Sequence, residues 1–429
     1  MKVELLYGHE GLAVSLPDGI QVTVIRKQPM KTLPDPRRAV TEALARPVGS
    51  PSLAELAVGK KSACILICDI TRPVPNGTIL PPIVKSLEKA GISRDRILIL
   101  VATGLHRPNE GDELREIIGS DEICKTVRAE NHFARDRQAH VHLGATIGGT
   151  PIMIDRRFVE AEVKVVTGLV EPHFMAGYSG GRKVVAPGIA YQDTILRLHT
   201  SRVLEHCKTA TCVIEGNPLH NELVEIARAL GGIVALNVVI DEDRQIGFVN
   251  FGEIEASHLE AVAFMRGHAE VRVPKRFSII VTTSAGYPLD KTYYQTVKGM
   301  VGVTDILETG GDIIIASQCS EGMGSREFVE AQRFLSRVGP KEFMSVLDSR
   351  DKALVDEWQT EMLLKATRLG AVHLYTTGLK EEDFKDIFVN RVSSLEEAIA
   401  ASVKRHGANE IAVVPEGPYV IPLYGPEAV

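Results

Sequence analysis

The stretch CILICDITRPVPNGTILPPIVKSLEKAGISRDRILILVA, residues 64–102, indicates the fold. An apolar run of strand length, Cys64–Asp69, is followed by an amphipathic segment, Ile79–Ala90, and then by a second apolar run, Ile97–Ala102. Strands that are apolar along their whole length are typical of parallel sheets, which helices cover on both faces. A strand, a helix and a second strand in this order predict one βαβ unit of such a sheet.

The same alternation continues through the rest of the chain. Further strand-length apolar runs are Val163–Val170, Val234–Ile240, Ile279–Thr283 and Asp312–Ser317. Further helix candidates are Asn217–Leu230, Ile254–Arg266 and Ser394–Arg405. Alternating strands and helices are the pattern of α/β folds. We therefore predict an α/β protein with two domains, each with a mostly parallel sheet flanked by helices, and an active site in the interdomain cleft.

Composition narrows the class of protein. A length of 429 residues is enough for two or three domains, and 44% hydrophobic with 24% charged residues is typical of a globular protein. The net charge is −6 and no sustained basic run occurs, which disfavours nucleic acid as a partner. Neither a signal peptide nor an apolar run of about 18 residues is visible, so we expect a cytoplasmic protein with no membrane partner. The six cysteines lack four-ligand zinc spacing and are expected to be reduced.

A domain boundary is predicted at Glu270–Arg276, where a long helix ends in a charged, proline-containing stretch before a new strand. We expect one domain over residues 1–270 and a second over residues 275–405. The last segment, residues 408–429, is proline-rich and contains one more strand candidate. The sequence leaves open whether this segment completes the first domain or the second.

Polar side chains follow three of the predicted strands. Asp69 and Arg72 follow the first strand, His106 follows the second, and His173 follows Val163–Val170. Ligands of open α/β sheets bind beyond the carboxyl ends of the strands. Each loop also has an ordinary explanation, because a proline-stiffened turn can carry a surface arginine and a lone histidine is more often structural. Three such loops in the same topological position favour a functional site.

The segment EPHFMAGYSGGRKVVAPG, residues 171–188, has the highest density of candidate functional residues. Gly177, Gly180 and Gly181 permit positive φ and close approach of the backbone to a ligand. Lys183 follows them, although the spacing matches neither a Walker loop nor GxGxxG. A lysine in this position can contact a phosphate or anchor a cofactor covalently.

Two further clusters each have two interpretations. Residues 193–203 predict a capped helix, on which His199 is either a core histidine or a ligand to a metal whose other ligands come mostly from a cofactor. Tyr294, Gln295 and Lys298 share one face of a predicted helix, which is either a solvated face or a binding surface for an anionic substrate. Trp358, the only tryptophan, is interpreted as a packing anchor.

Taken in order, these motifs resemble those of the nickel-pincer lactate racemase family, the nickel-dependent 2-hydroxyacid racemases and epimerases. The motifs are DxTRPxP, TGLHRP, EPH followed by SGGxK, a histidine sixteen residues beyond that lysine, and YxxxK with an intervening glutamine. Lys183 also lies ten residues beyond His173, as in the family. The resemblance extends over most of residues 65–300 and includes both predicted domains.

The resemblance implies a cofactor and a role for each motif residue. The cofactor is the nickel-pincer nucleotide, pyridinium-3,5-bisthiocarboxylic acid mononucleotide nickel, attached covalently through Lys183, with His199 as the protein ligand to nickel. His106 and His173 would be the acid/base pair. The residues that would line the nucleotide are Asp69, Thr71, Thr103, Gly104, Gly180 and Gly181. Those that would bind the substrate are Arg72, Tyr294, Gln295 and Lys298.

The activity implied is inversion of the C2 centre of a 2-hydroxy acid, either lactate or a larger 2-hydroxy or sugar acid. Residues 1–270 would then bind the cofactor, residues 275–405 would close over the substrate, and the proteins that synthesise the cofactor would be partners. Two alternatives remain open on the residues alone. In one, Lys183 is the Schiff-base lysine of a pyridoxal-phosphate enzyme. In the other, the chain is a non-catalytic two-domain protein that binds a small molecule.

Overall fold

The computed structural model describes residues 1–426, which divide into two compact units. The N-terminal unit comprises residues 29–198 and 208–267. The C-terminal unit comprises residues 1–28, residues 199–207 and the chain from residue 268 onward. Each unit contains one six-stranded sheet.

The strands are short and alternate with helices. In chain order they are β1 (Lys2–Leu5), β2 (Leu12–Ser15), β3 (Gln21–Val24), β4 (Ala63–Cys68), β5 (Ile97–Ala102), β6 (Arg128–Asn131), β7 (His140–Ala145), β8 (Pro151–Asp155), β9 (Val163–Leu169), β10 (Pro172–His173), β11 (Gly177–Tyr178), β12 (Ile233–Ile240), β13 (Ile246–Glu253), β14 (Glu270–Val273), β15 (Phe277–Thr283), β16 (Leu307–Ala316), β17 (Ala371–Tyr375), β18 (Asn390–Val392), β19 (Glu410–Val414) and β20 (Ile421–Tyr424).

The α-helices are listed in the same way. They are α1 (Pro36–Ala45), α2 (Leu53–Ala57), α3 (Asn76–Lys89), α4 (Asp112–Ile118), α5 (Asp121–Thr126), α6 (Arg156–Glu160), α7 (Gly181–Val185), α8 (Gln192–Leu198), α9 (Ser201–Leu204), α10 (Pro218–Leu230), α11 (Ile254–Ala269), α12 (Tyr293–Val301), α13 (Arg326–Asp348), α14 (Glu357–Thr367) and α15 (Leu395–His406). None of the helices within residues 1–426 combines the length and the apolar composition needed to span a membrane.

The sheet of the N-terminal unit has the strand order β13-β12-β9-β4-β5-β6. All its strands pair in parallel except β12 and β13, which are antiparallel. Its central strands are buried along nearly their whole length, as the apolar runs predict. Helix α3 covers the sheet with one apolar stripe, which includes Ile79, Ile83 and Leu87. β4 precedes α3 and β5 follows it, and these two strands pair in parallel, as the predicted βαβ unit requires.

The sheet of the C-terminal unit has the order β18-β17-β16-β15-β19-β3 and is parallel throughout. A helix with a complete N-terminal cap, α15, covers it, because the Ser394 hydroxyl accepts a hydrogen bond from the Glu397 N–H. Val3, Leu5 and Val14 from the start of the chain are buried in the same hydrophobic cluster as Ile399 and Ile411. The two sheets confirm the predicted α/β class.

The observed division of the chain corrects the predicted domain ranges. Residues 1–28 were predicted within the first domain, but β3 adds to the sheet of the C-terminal unit by pairing with β19. Residues 199–207 also belong to that unit. The described part of the final segment lies there too, because β19 joins the sheet and β20 pairs with β14, while residues 427–429 of the predicted tail lie outside the described residues. Pairing partners almost 390 residues apart along the chain give no local signal for these contacts.

The helix predicted over residues 193–203 is interrupted. Helix α8 ends at Leu198 and α9 begins at Ser201, with Thr200 as an extended N-cap residue at φ −71° and ψ 152°. The chain passes from the N-terminal unit to the C-terminal unit between Leu198 and His199. The helix predicted as one element is therefore two separate helices, and His199 lies in the short link between them.

Candidate active site

The carboxyl ends of β4, β5 and β9 carry the first group of predicted site residues. These three strands are neighbours in the order β9-β4-β5 and run parallel, so their following loops lie along one edge of the sheet. The chain beyond them supplies Asp69, His106 and His173. The prediction that three adjacent strands deliver polar residues to one edge is therefore confirmed for the topology.

Asp69 and His106 form a hydrogen-bonded pair. The Nδ1 atom of His106 lies 2.6 Å from Oδ2 of Asp69, and the Thr71 hydroxyl donates a hydrogen bond of 2.6 Å to Oδ1 of the same carboxylate. Asp69 is buried, whereas the His106 side chain is 62% exposed. Burial raises the pKa of Asp69, but the hydrogen bonds and charges of His106, Thr71 and Arg72 outweigh it, so that this pKa lies below its usual value. The carboxylate is therefore ionised and orients the imidazole.

Arg72 and Glu171 form an ion pair beside this group. Nε of Arg72 lies 3.5 Å from Oε1 of Glu171, and both side chains are about one quarter exposed, at 24% and 25%. The pair joins the loop after β4 to the loop after β9. Glu171 was not predicted as a site residue, although it begins the EPH motif. Its position keeps the predicted substrate-binding arginine next to the two histidine-bearing loops.

Thr103 and Gly104 shape the loop after β5. The Thr103 hydroxyl is buried and donates a hydrogen bond of 2.7 Å to the His132 carbonyl. Gly104 has φ +55°, and its N–H donates to the carbonyl of Gly188 at 2.8 Å. The hydrogen bonds of Thr103 and Gly104 hold the loop after β5 in place, and His106 follows these two residues in the same loop.

A tight hairpin made by β10 and β11 carries His173. The Nδ1 atom of His173 accepts hydrogen bonds from the N–H groups of Met175 and Ala176, at 3.2 Å and 3.1 Å. Gly177 closes the turn with φ +75°, and a Cβ atom there would lie 2.2 Å from the Val213 carbonyl oxygen. Only glycine fits this position, because both the backbone conformation and the space exclude a side chain.

Gly180 and Gly181 lead from this hairpin into α7, where Lys183 is half-buried. Gly180 has φ +117°, and a Cβ atom on it would lie 2.7 Å from Cδ2 of His258. The Gly181 N–H donates to Oδ1 of Asn237 at 3.2 Å. These glycines were predicted to approach a ligand closely, whereas the observed close contacts are with the protein itself. They hold the start of α7, and with it Lys183, against the sheet.

The second group of predicted residues lies in the C-terminal unit. Tyr294, Gln295 and Lys298 are on α12, as the four-residue spacing predicts. The Tyr294 hydroxyl donates to Oδ1 of Asp356 at 3.2 Å and accepts from Nε1 of Trp358 at 3.3 Å. Oε1 of Gln295 is buried and has no hydrogen-bond partner within residues 1–426. A buried, unsatisfied amide oxygen is where a donor group of a ligand would be stabilised.

His199 joins this second group through Trp358. The two rings have centroids 4.4 Å apart, and the same indole donates its N–H to Tyr294. The indole therefore links the predicted metal ligand to the predicted substrate-binding tyrosine. Trp358 was predicted only as a packing anchor, and Asp356 was not predicted as a site residue. Their spacing from Tyr294 along the chain, more than sixty residues, offers no pattern from which the contacts could be inferred.

No group of three or more His, Cys, Asp or Glu side chains within residues 1–426 is arranged to hold a metal ion.

The predicted site residues form two sets, each of which lies within one unit. The N-terminal set contains Asp69, Thr71, Arg72, Thr103, Gly104, His106, His173, Gly180, Gly181 and Lys183. The C-terminal set contains His199, Tyr294, Gln295 and Lys298.

Comparisons with known proteins cover nearly the whole chain. The family model described as the lactate racemase N-terminal domain matches residues 7–211, and the one described as the lactate racemase C-terminal domain matches residues 273–422. A lactate racemase from Thermoanaerobacterium thermosaccharolyticum is 34% identical over 425 residues, which are 98% of each chain. A lactate racemase from Lactiplantibacillus plantarum is 32% identical over 392 residues, which are 90% of each chain.

Solved structures agree with these matches. The lactate racemase apoprotein from Thermoanaerobacterium thermosaccharolyticum has a TM-score of 0.91 and 32% sequence identity, covering 98% of this chain and all of that one (100%). A protein from Thermotoga maritima has a TM-score of 0.68 at 17% identity and covers 93% of this chain and 100% of its own, which shows a shared fold.

The fold and the first residue set define an α/β protein that carries an Asp–His pair and a second imidazole at the carboxyl edge of a parallel sheet. The matches to both family models and the identity over nearly the full length are more specific. This chain belongs to the lactate racemase family.

Proposed function

We propose that the protein is a racemase or epimerase that inverts the C2 centre of a 2-hydroxy acid, either lactate or a larger 2-hydroxy or sugar acid. The observation that carries this proposal is the hydrogen-bonded Asp69–His106 pair at the carboxyl edge of the sheet, in a member of the lactate racemase family. His173 follows β9, which ends at the same edge of the sheet. Two imidazoles are the side chains best suited to exchanging protons near neutral pH.

The residues present fit the cofactor that the sequence motifs imply. Lys183 provides an amine for covalent attachment, and the close-packed glycines before it place the start of α7 against the sheet. His199 provides one imidazole, a ligand that suits nickel. The resemblance to the family implies that the remaining nickel ligands would come from the nickel-pincer nucleotide. Lys183 and His199 would therefore hold it, and Asp69, Thr71, Thr103, Gly104, Gly180 and Gly181 are the proposed lining.

The α-hydrogen of a 2-hydroxy acid lies beside an ionised carboxylate, which makes it a very poor acid. When bound, the cofactor would supply a hydride acceptor, so that this hydrogen need not leave as a proton. His106, held by Asp69, would accept the hydroxyl proton, and His173 would exchange a proton with the same oxygen at the opposite face. Inversion then requires that the hydrogen return to the opposite face of C2, while the oxygen regains a proton from the second histidine.

The substrate carboxylate needs an anchor throughout the cycle. Arg72 and Lys298 are the proposed cations, with Tyr294 and Gln295 completing the substrate-binding set. Oε1 of Gln295, which has no hydrogen-bond partner among the described residues, supports this role because it would gain a hydrogen bond from a bound hydroxyl group. Closure of the C-terminal unit over the substrate is proposed as the means of excluding water.

The test compares protein made in cells that synthesise the cofactor with protein made in cells that do not. We expect nickel and a mass increment on Lys183 only in the first preparation, together with interconversion of D- and L-lactate followed by chiral chromatography. A screen of larger 2-hydroxy acids would then identify the substrate. Nickel-free protein carrying pyridoxal phosphate on Lys183, or binding without turnover, would overturn the proposal in favour of the two alternatives.

Variants test the individual roles. His106→Ala and His173→Ala should abolish interconversion while nickel stays bound, and Lys183→Ala should lack the mass increment. His142→Ala is the matched control, because His142 is an exposed histidine on β7 of the same unit. Full activity in either His106→Ala or His173→Ala would contradict the two-histidine scheme.

A further inference from the structure

Arg182 is the most deeply buried large charged side chain near the proposed site. It is the second residue of α7, and only 1% of its surface is exposed. Four of its hydrogen bonds have a fixed direction: Nε donates to Nδ1 of His220 at 2.8 Å, Nη1 to the Ser179 carbonyl at 3.3 Å, and Nη2 to the Ala176 and Tyr178 carbonyls at 3.1 Å and 3.0 Å. Nη1 also lies 2.6 Å from Nε2 of His258, which is itself 2.8 Å from the Ser179 carbonyl oxygen, so the tautomer of His258 decides whether this nitrogen accepts from Arg182 or donates to Ser179. None of these acceptors is a carboxylate.

This cluster holds a positive charge among neutral groups. Burial lowers the pKa of Arg182 to about 9, which still leaves the guanidinium charged at neutral pH. Burial and the guanidinium charge lower the pKa of His220 to about 3 and that of His258 well below its usual value, so both imidazoles are neutral. Glu255 is a negative charge that raises the pKa of Arg182, but its ion pair is with Arg228 and the hydrogen-bond partners of the guanidinium are neutral. Burying a charge without a hydrogen-bonded opposite charge is costly, and this cost points to a function for the hydrogen bonds of Arg182.

The three carbonyl groups that Arg182 contacts lie between His173 and Lys183 in the chain. Those of Ala176 and Tyr178 belong to the second half of the hairpin that carries His173, and that of Ser179 follows the hairpin directly. Asn217 supports the first half, because its Nδ2 donates to the Met175 carbonyl at 2.9 Å. The same peptide group turns its N–H, that of Ala176, toward Nδ1 of His173. The arginine and the asparagine therefore hold the backbone that contacts this imidazole.

Two backbone N–H groups on Nδ1 determine where a neutral His173 carries its proton. Because both groups donate, Nδ1 must accept, and the ring proton is on Nε2. The tautomer of neutral His106 is the opposite one, because its Nδ1 faces the ionised Asp69 carboxylate, which can only accept a hydrogen bond. Neutral His106 therefore has its proton on Nδ1 and a lone pair on Nε2. The two imidazoles differ in tautomer because their fixed partners differ.

We propose that Arg182 is a positioning residue that, through the hairpin of residues 172–178, holds His173 in the Nε2–H tautomer, opposite to that of His106. A lysine cannot replace it, because an ammonium group has three donors on one atom whereas the guanidinium has five in a planar fork. The catalytic meaning of the tautomer rests on the proposed function. The tautomer itself does not, and it is measurable in protein without cofactor.

The test is nuclear magnetic resonance of the cofactor-free protein labelled with ¹⁵N at histidine. The wild type should show an unprotonated Nδ1 and a protonated Nε2 for His173, with His173→Gln identifying the signals. In Arg182→Lys the two nitrogen shifts should move toward each other as both tautomers become populated. Arg157→Lys is the control, because Arg157 is another arginine of this unit, paired with Asp155 and Glu130, and should leave the His173 signals unchanged.

A second variant keeps the test decisive if Arg182→Lys does not fold. Asn217→Ser retains a side chain that can cap α10 but removes the donor to the Met175 carbonyl, and it should shift the His173 signals in the same direction. A proton on Nδ1 of His173 in the wild type overturns the tautomer. Folded Arg182→Lys with unchanged His173 signals overturns the role of Arg182. If the predicted signals appear but loaded enzyme does not interconvert 2-hydroxy acids, the proposed function fails and the positioning role stands.

Discussion

At the scale of single residues, Asp69 shows how opposing effects set the pKa of one buried carboxylate. Burial alone would favour the protonated acid, yet the hydrogen bonds from His106 and Thr71 keep the pKa of Asp69 below its usual value. A buried carboxylate in this state has one strong effect on its neighbour, which is to hold the proton of His106 on Nδ1. The reactivity of the exposed His106 is thus decided by a residue that solvent does not reach.

Replacing Asp69 with Asn should therefore affect the reaction more than the fold. An amide can donate to Nδ1 and so stabilise the wrong tautomer of His106, and losses of about 10²- to 10⁴-fold in kcat are expected when a carboxylate that orients a histidine becomes an amide. The measurement is the initial rate of lactate interconversion by loaded enzyme. Asp155→Asn is the control, because Asp155 is equally buried and pairs with Arg157, so it should lower stability without changing kcat. Equal kcat values for both variants would contradict the role of Asp69.

At the scale of elements, the hairpin of β10 and β11 depends on one glycine. Gly177 and Gly231 both have positive φ, at +75° and +60°. A Cβ atom on Gly177 would meet the Val213 carbonyl oxygen at 2.2 Å, whereas one on Gly231 would have no atom of the described residues within 4 Å apart from its chain neighbours. This pair separates the cost of backbone conformation from the cost of a clash.

We expect Gly231→Ala to lower the free energy of unfolding by about 1–3 kcal/mol, the cost of placing a side chain at a backbone conformation of φ 60° and ψ 153° that essentially only glycine adopts. Gly177→Ala should cost more, and it should also change the His173 signals, because the hairpin must move. Urea unfolding and the histidine spectra measure the two effects. Identical behaviour of both variants would mean that the hairpin tolerates the displacement.

Also at the scale of elements, the buried carboxylate of Asp312 joins α15 to two strands of the C-terminal sheet. Asp312 on β16 is buried and accepts hydrogen bonds from Arg405 and from His406 at 3.0 Å, while Nε2 of His373 on β17 lies 3.4 Å from it. Burial raises the pKa of Asp312, but bonds from His373, Ser402 and Arg405 outweigh it and hold this pKa well below its usual value. The ionised carboxylate therefore stabilises the unit.

This stabilisation has a defined pH dependence. Because the pKa of Asp312 is lower in the folded state than the value of about 3.9 in the unfolded chain, its contribution is present above that value and is lost as the pH falls below it. Asp312→Asn should cost about 2–3 kcal/mol at pH 7, and the difference from wild type should shrink near pH 3. Trp358 fluorescence follows this unit, which contains the only tryptophan. Asp305→Asn, at a half-exposed ion pair, should cost under about 1 kcal/mol.

At the scale of the whole molecule, the first 28 residues belong with the last third of the chain. β3 covers one edge of β19, and apolar side chains from residues 3–16 complete the core beneath α15. Fully burying an aliphatic side chain contributes about 1.5–3 kcal/mol, so this segment is a substantial part of the C-terminal unit.

Deletion of residues 1–28 should therefore damage the unit that is distant in sequence. We expect faster hydrogen exchange at Ile411 and Val413 in β19, because their edge loses its partner strand, while β4 in the N-terminal unit keeps its protection. Exchange measured by mass spectrometry resolves the two regions. Loss of protection in β4 with β19 unchanged would contradict the assignment of this segment.

Much of the candidate site follows from sequence because its residues stand directly after buried strands. Asp69, His106 and His173 could be predicted together, since parallel neighbouring strands end at one edge. Trp358, Asp356 and the guanidinium of Arg182 could not, because nothing local distinguishes a tryptophan that packs on a histidine, or an arginine that binds carbonyl groups, from ordinary core and surface residues. The interrupted helix at His199 was missed because its apolar spacing continues through a link between two units.

The amino-acid sequence by itself determined the α/β class, the main strands and helices, and the order of the motifs, because hydrophobic periodicity and capping residues act over a few neighbouring positions. Only the tertiary structure decided that the first strands complete the C-terminal sheet, that an indole links His199 to Tyr294, and that Arg182 holds the hairpin of His173. These contacts join residues that are distant in the chain, or depend on the direction of single hydrogen bonds, and they exist only once the backbone has been packed.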